Sequence, residues 1–282
     1  MGFSRRDLLS RFSFSAGGLL VGSLLGKNAS AQGYDDTPML PGGHWRVHDS
    51  KRPQPPVVTP GKMTHEGYVS APSDAKVLFD GQGLKHWKSG EGDAKWKATE
   101  FFFEAVKGGG NLTTRDEFGD CQLHVEFMEP NPATGKDQGR GNSGIFFFGR
   151  YEVQVLDCYE NKTYADGSTG ALYGQTPPLV NACRKPGEWQ TYDIVFVAPR
   201  FKDGELLSPA LVTVFLNGVL LQLATPMIGA SAHRSVGKYT PHGEKGAIEL
   251  QDHGDPIRFR NIWIREIGPF VDITTRKMYD IG

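Results

Sequence analysis

The chain has 282 residues with 31 Lys and Arg against 32 Asp and Glu, a formal net charge of -1. That balance argues against a nucleic-acid partner, because a phosphate backbone selects basic surfaces. With 36 Gly, 18 Pro and the aromatic runs Phe101 to Phe103 and Phe146 to Phe148, composition favours many short strands joined by turns in a soluble globular protein.

The first residues read as an address. Arg5 and Arg6 in Ser4-Arg5-Arg6-Asp7-Leu8-Leu9 precede a mildly apolar segment from Phe12 to Leu25 and then Ala29-Ser30-Ala31. This is the form of a twin-arginine export signal, with cleavage expected after Ala31. Once its polar residues are discounted, the apolar segment falls short of the roughly 20 residues a membrane span needs, so no stable span is expected after cleavage. The mature protein is expected to be periplasmic or secreted.

Residues 32–75 are polar and punctuated by proline, including Pro53-Gln54-Pro55-Pro56, and read as an extended linker or a strap over a domain surface. Short apolar runs then alternate with turn residues through 76–267, which predicts one all-β sandwich with no second domain, followed by a tail over 268–282. Three cysteines cannot all pair. Cys158 and Cys183 sit in loop-like segments and are expected to form a disulfide in an oxidising compartment, with Cys121 a buried thiol.

Strand alternation separates core faces from polar faces. In Gln122 to Phe127, Leu123, Val125 and Phe127 face one way and His124 and Glu126 the other. In Tyr151 to Asp157, the core set is Tyr151, Val153 and Val155; Glu152 and Gln154 look outward, and a bulge would turn Asp157 to join them. In Ala247 to His253, Ile248 and Leu250 face the core while Glu249, Gln251 and His253 share the other side. Any one polar row is accounted for by a solvated sheet face. Side by side in one curved sheet, the rows would make a groove of acids, amides and imidazole. Arg140-Gly141-Asn142-Ser143-Gly144 could deliver Asn142 to its rim, and Trp87, Tyr173 or Trp189 could stack a sugar. Asn217-Gly218 reads as a type I′ hairpin turn.

These pieces occur in the order of a known family. Phe79-Asp80-Gly81 with Leu84 and Trp87, Leu112-Thr113-Thr114, Phe118-Gly119-Asp120, Asn142-Ser143-Gly144, Tyr151 to Asp157, Thr169 to Tyr173, Gly187-Glu188-Trp189, Leu250 to Gly254 and Phe259 to Ile262 together resemble the 3-keto-disaccharide hydrolase domain family over about residues 76–267. The resemblance implies a concanavalin A-like jelly-roll β-sandwich of two antiparallel sheets and action on 3-keto-glycosides. It implies site positions at Glu126, Asn142, Glu152, Gln154, Asp157, Gln251, Asp252, His253 and Arg260. Glu152-x-Gln154-x-x-Asp157 also has the spacing of the acid motif in laminarinase-like jelly-roll glycosidases, with an amide where that motif has its middle acid.

A 3-keto sugar offers a route by elimination, since the ketone acidifies the hydrogen on carbon 2 and the enolate expels the substituent at carbon 1. Such a site needs a base, an acid and a holder of enolate charge. The sequence offers His253 or Glu152 as base, Asp157 as acid, and Arg260, Asn142 or Gln154 as holder. A divalent metal bound by Glu126, Glu152 and His253 is a further expectation. An upstream sugar-oxidising enzyme is expected as partner, because the chain shows no Gly-x-Gly-x-x-Gly nucleotide fingerprint after a strand. A carbohydrate-binding, lectin-like module is the alternative function.

Overall fold

The computed structural model describes residues 33–59 and 70–267. The expected export signal, its expected cleavage point and the expected C-terminal tail lie outside the described residues. No helix among those described is long and apolar enough to cross a membrane; the helical content is two single turns, Asp137–Gly139 and Ala165–Gly167.

Two antiparallel sheets make the expected jelly-roll sandwich. The larger runs Val219–Pro226, Leu211–Leu216, Gln190–Val197, Cys121–Met128, Arg258–Glu266, Phe103–Glu104, Lys97–Ala98, with Lys76–Phe79 also paired to Arg258–Glu266. The smaller runs Gly92–Asp93, Trp87–Ser89, Leu112–Thr114, Ile248–Leu250, Ser143–Phe147, Tyr151–Val155. Arg200–Lys202 and Glu205–Ser208 form a separate two-stranded arm. Asn217 and Gly218, at φ 53° and 79°, turn Leu211–Leu216 back into Val219–Pro226, as a type I′ turn requires.

Period-two patterning closes the sandwich. Leu123, Val125 and Phe127 from the larger sheet and Ile145, Phe147, Val153 and Val155 from the smaller are buried in one core. The Phe147 and Phe196 rings stack across it at 4.3 Å, and the Tyr192 hydroxyl donates to the Gln154 carbonyl at 2.7 Å, tying sheet to sheet. Burying each such ring contributes about 1.5–3 kcal/mol. Within these strands the residues between them, such as His124, Glu126, Phe146 and Gln154, therefore face away from the core, on one outer face or the other.

Residues 33–59 lie on the domain as a strap. Met39 bridges to Arg46, Tyr34 to Asp49, and Val57 to Asn181 on the domain. Val47 and His48 of this strap are fully buried. His48 has φ 56°, a left-handed conformation that a residue with a side chain adopts at a cost of about 1–3 kcal/mol.

Cys121, Cys158 and Cys183 are all free thiols, so the expected disulfide is not formed. Cys158 Sγ instead accepts hydrogen bonds from the Thr169 backbone N–H at 3.2 Å and the Thr169 hydroxyl at 3.3 Å. The Cys183 thiol donates to the same sulfur, which holds its own proton tightly and raises its pKa.

Candidate active site on the outer face of the smaller sheet

The cross-strand register sets out a row on the outer face of the smaller sheet. Lys88 opposes Thr113, Thr113 opposes Glu249, Glu249 opposes Phe146, and Phe146 opposes Glu152. Two carboxyl-bearing residues thus flank one aromatic residue, which is half-buried. Glu249 is anchored, accepting from the Asn111 amide at 2.7 Å and the Thr113 hydroxyl at 3.4 Å.

Glu152 is different. It is 5% exposed, and its carboxyl has no hydrogen-bond partner among the described residues. Burial, and secondly the charge of Glu249, push its pKa up to about 8. A carboxyl in that condition carries its proton at neutral pH and can surrender it, the behaviour required of a general acid.

Loops over the sheet edge complete the surroundings. The Tyr173 N–H donates to the Glu152 carbonyl at 3.3 Å, and the Glu152 N–H donates to Ser231 Oγ at 3.0 Å, so the strand edge anchors two loops. From them, the Tyr173 hydroxyl lies 3.1 Å from His233 Nδ1 and 2.9 Å from the Tyr164 hydroxyl. The Tyr173 pKa is raised by burial, against the opposing Tyr164 hydrogen bond, with the Glu152 charge adding to the rise. His233 is exposed, and burial of part of its ring with the nearby His48, Arg234 and His253 lowers its pKa. It is therefore a neutral imidazole at pH 7, and its Nε2 has no hydrogen-bond partner among the described residues.

Behind these loops sits His48. Its Nδ1 lies 3.1 Å from Asp166 Oδ1, and its backbone N–H donates to Asp166 Oδ2 at 3.0 Å. Its Nε2 is buried with no partner.

Several expected site residues are placed elsewhere. Glu126 and Arg260 are joined at 2.6 Å on the outer face of the larger sheet, with both sheets between them and Glu152. The alternation of each strand was right, but these strands belong to different sheets. Glu126, Glu152 and His253 are accordingly no single ligand set, and among the described residues no group of three or more His, Cys, Asp or Glu could hold a metal ion.

Asp157 does not join Glu152. Its carboxylate accepts from Arg140 Nε at 2.7 Å and from the Tyr159 N–H at 3.1 Å, and burial, only partly offset by Arg140, raises its pKa. The chain beyond Val155 is caught by the Arg140 and Gly141 carbonyls, which accept the Asp157 N–H at 3.2 Å each, and the Tyr151–Val155 pairing runs without the expected bulge.

Asn142 and Gln154 meet at Gln138, the first donating to its carbonyl at 2.7 Å and the second to its Oε1 at 3.1 Å. Their amides brace the loops. Asp252 accepts from the Gly110 and Gly254 N–H groups and shapes its own turn. Gln251 lies beside Gly144, to whose carbonyl its N–H donates at 3.0 Å, and its buried Oε1 has no partner. His253 is exposed at the rim near His233. Of the aromatic platforms, Trp87 is fully buried and Trp189 stacks on Arg260 at 4.1 Å on the larger-sheet side, leaving Tyr173. Phe146, Glu249, His233 and His48 were missed as site residues. Phe146 and Glu249 were legible in the alternation, whereas His233 and His48 come from segments without periodicity.

Residues 74–265 match the model of the 3-keto-alpha-glucoside-1,2-lyase-like domain. The chain belongs to this family. A candidate glycosyl hydrolase from Parabacteroides distasonis ATCC 8503 is similar to it, with 46% identity, a TM-score of 0.69, and coverage of 82% of this chain and 100% of that one. Two further candidate glycosyl hydrolases of that organism, 18% and 23% identical, cover 69% and 68% of this chain and 94% and 99% of their own, with TM-scores of 0.51 and 0.50, and share the fold. No curated protein matches. The family and the first of these structures support a glycan-acting hydrolase or lyase.

Proposed function

We propose that this 3-keto-alpha-glucoside-1,2-lyase-like protein is an exported enzyme that cleaves 3-keto-glycosides by elimination followed by hydration. The observation that carries the reading is the Glu152 carboxyl, buried, without a hydrogen-bond partner and with a pKa of about 8. In this reading the sugar ring lies on Phe146. Neutral His233 takes the carbon-2 proton through Nε2, and the carbon-hydrogen electron pair moves into a carbon 2 to carbon 3 double bond, turning the 3-ketone into its enolate. As the enolate collapses, the bond from carbon 1 to the glycosidic oxygen breaks, and Glu152 gives its proton to that oxygen. Water then adds at carbon 1 and a proton returns to carbon 2, giving the free 3-keto sugar and the leaving alcohol. The anchored Glu249 keeps Glu152 reluctant to ionise until a proton acceptor arrives. The ketone must come from a sugar-oxidising enzyme acting earlier, and the twin-arginine-like leader supports a reaction outside the cytoplasm.

The test is turnover of a 3-keto-glucoside beside its unoxidised parent, with and without a chelator, for the wild type and Glu152→Gln. Cleavage of the keto compound alone, lost in the variant, supports the reading. Loss on chelation adds a metal. Binding of sugar with no cleavage of either compound overturns it in favour of a lectin-like module.

A further inference from the structure

The N-terminal strap does more than cover the domain. It sends two side chains, His48 and Arg52, onto one buried carboxylate, Asp166, the first at 3.1 Å through Nδ1 and the second at 3.6 Å. Arg52 also donates to the Gln175 carbonyl at 3.0 Å, fastening the strap to the loop that carries Tyr173. The docked imidazole packs on the Tyr164 ring at 4.1 Å and stands 4.9 Å from the Tyr173 ring and 5.4 Å from the His233 ring. Gly174 makes room for it, since a side chain there would begin 2.9 Å from the Ala232 carbonyl and 3.4 Å from His48 Cε1. One ring thus wedges the Tyr173 loop against the Ala232–His233 loop.

Resting on the elimination reading above, we propose that the strap is a working wall of the active site and that His48, clamped by Asp166, is the positioning residue for the Tyr173–His233 pair. Two costs are concentrated at this one residue, a left-handed backbone and a buried Nε2 without a partner. A tether would need neither. Leucine or phenylalanine would fill the same space without the unpaired nitrogen, so the imidazole answers to something other than packing. The titratable groups facing His48 are Asp166, Arg52, Tyr34, Tyr164, Tyr173 and His233; those facing His233 are His48, Arg234, His253, Tyr34 and Tyr173. In this setting His48 opposes a positive charge on His233.

The experiment uses the mature chain with ring-labelled histidine. The His233 titration is followed by NMR without substrate, and kcat and KM are measured on a 3-keto-glucoside, for the wild type, His48→Phe and His48→Gln. The expected result is a folded His48→Phe protein whose His233 midpoint moves up, with kcat down about tenfold or more and KM changed much less, because misplacing a reacting group falls on the chemical step. His48→Gln, which can still reach Asp166, recovers part of kcat. An unmoved His233 midpoint with unchanged kcat in a folded variant overturns the proposal. If His48→Phe does not fold, Asp166→Asn, which loosens the clamp and leaves the ring, gives the same two readings. A midpoint that moves in a chain that cleaves no keto-glycoside sinks the elimination reading and leaves the positioning role standing. Cleavage with an unmoved midpoint does the reverse.

Discussion

Gly144 and Glu152 sit so close across the Ser143–Phe147 and Tyr151–Val155 pair that a Cβ on Gly144 would stand 2.4 Å from Glu152 Oε1 and 2.9 Å from Phe146 Cε2. The glycine is what gives the carboxyl its place beside the ring. Gly144→Ala must push the carboxyl or the ring aside. Since overpacking of this kind costs about 1–3 kcal/mol, a modest loss of stability is expected, with activity on a 3-keto-glucoside falling about tenfold or more. Thermal melts and kcat/KM read the two effects separately. An alanine variant with unchanged turnover would show that Glu152 is not held for chemistry.

Glu152 should also weaken the fold it sits in. Its ordinary pKa of 4.5 rises to about 8 on folding, so the folded chain binds this proton more tightly than the unfolded one. The stability it contributes is therefore present below about pH 4.5 and is lost as pH climbs through 8. Glu152→Gln removes the penalty and keeps the shape. The variant should melt close to the wild type at pH 4.5 and several degrees higher at pH 8, a gain on the order of a few kcal/mol, while losing activity. A difference in melting temperature that stays flat from pH 4.5 to 8 would refute the raised pKa.

How far the sequence could go is clear from three strands. In Cys121–Met128, Tyr151–Val155 and Ile248–Leu250 the alternation separates core from outer face correctly, because a period of two admits only one apolar side. What alternation lacks is any record of which sheet a strand enters. Glu126 and Glu152 therefore looked like neighbours, and only the pairing of Cys121–Met128 with Gln190–Val197 and Arg258–Glu266 places Glu126 on the far side. His48 and His233 lay beyond reach for another reason. Each is brought in by an irregular segment whose path is set by long-range bonds, such as His48 to Asp166 across 118 positions.

On the far face, His124 shares the upward pKa shift of Glu152 but stabilises the fold, so its removal should cost stability where removal of Glu152 adds it. Burial alone would lower its pKa, but the hydrogen bond to Asp193 at 2.7 Å and the Glu126 carboxylate 3.9 Å from its Nε2 outweigh it and raise the value from 6.5 to about 9. A raised histidine contributes stability that is fully present below about pH 6.5 and is lost as pH rises through 9. His124→Gln should be most destabilised near pH 6, on the order of 1–3 kcal/mol, and its deficit should shrink toward pH 9. Glu152→Gln also gains on the wild type as pH rises, but from near parity at low pH to a surplus rather than from a deficit toward parity. Parallel melts of the two variants across pH 5–9 check both signs at once, and a His124→Gln deficit independent of pH would mean that the ring acts only by stacking on Trp263, 4.9 Å away.

The three thiols give the last prediction. Cys121 is completely buried, and burial, reinforced by the charges of Asp120 and Glu266, raises its pKa far above the ordinary thiol range. Cys158 is 2% exposed and is engaged by both donors of Thr169, while Cys183 is only half-buried. A thiolate must reach solvent to be alkylated. The folded chain, purified without reductant and treated with iodoacetamide, should therefore take up at most one label by mass, at Cys183. After unfolding in denaturant, all three cysteines should be labelled. A chain that accepts a single label even when unfolded, and three only after reduction, would mean that Cys158 and Cys183 have closed into a disulfide in place of the thiol pair described here.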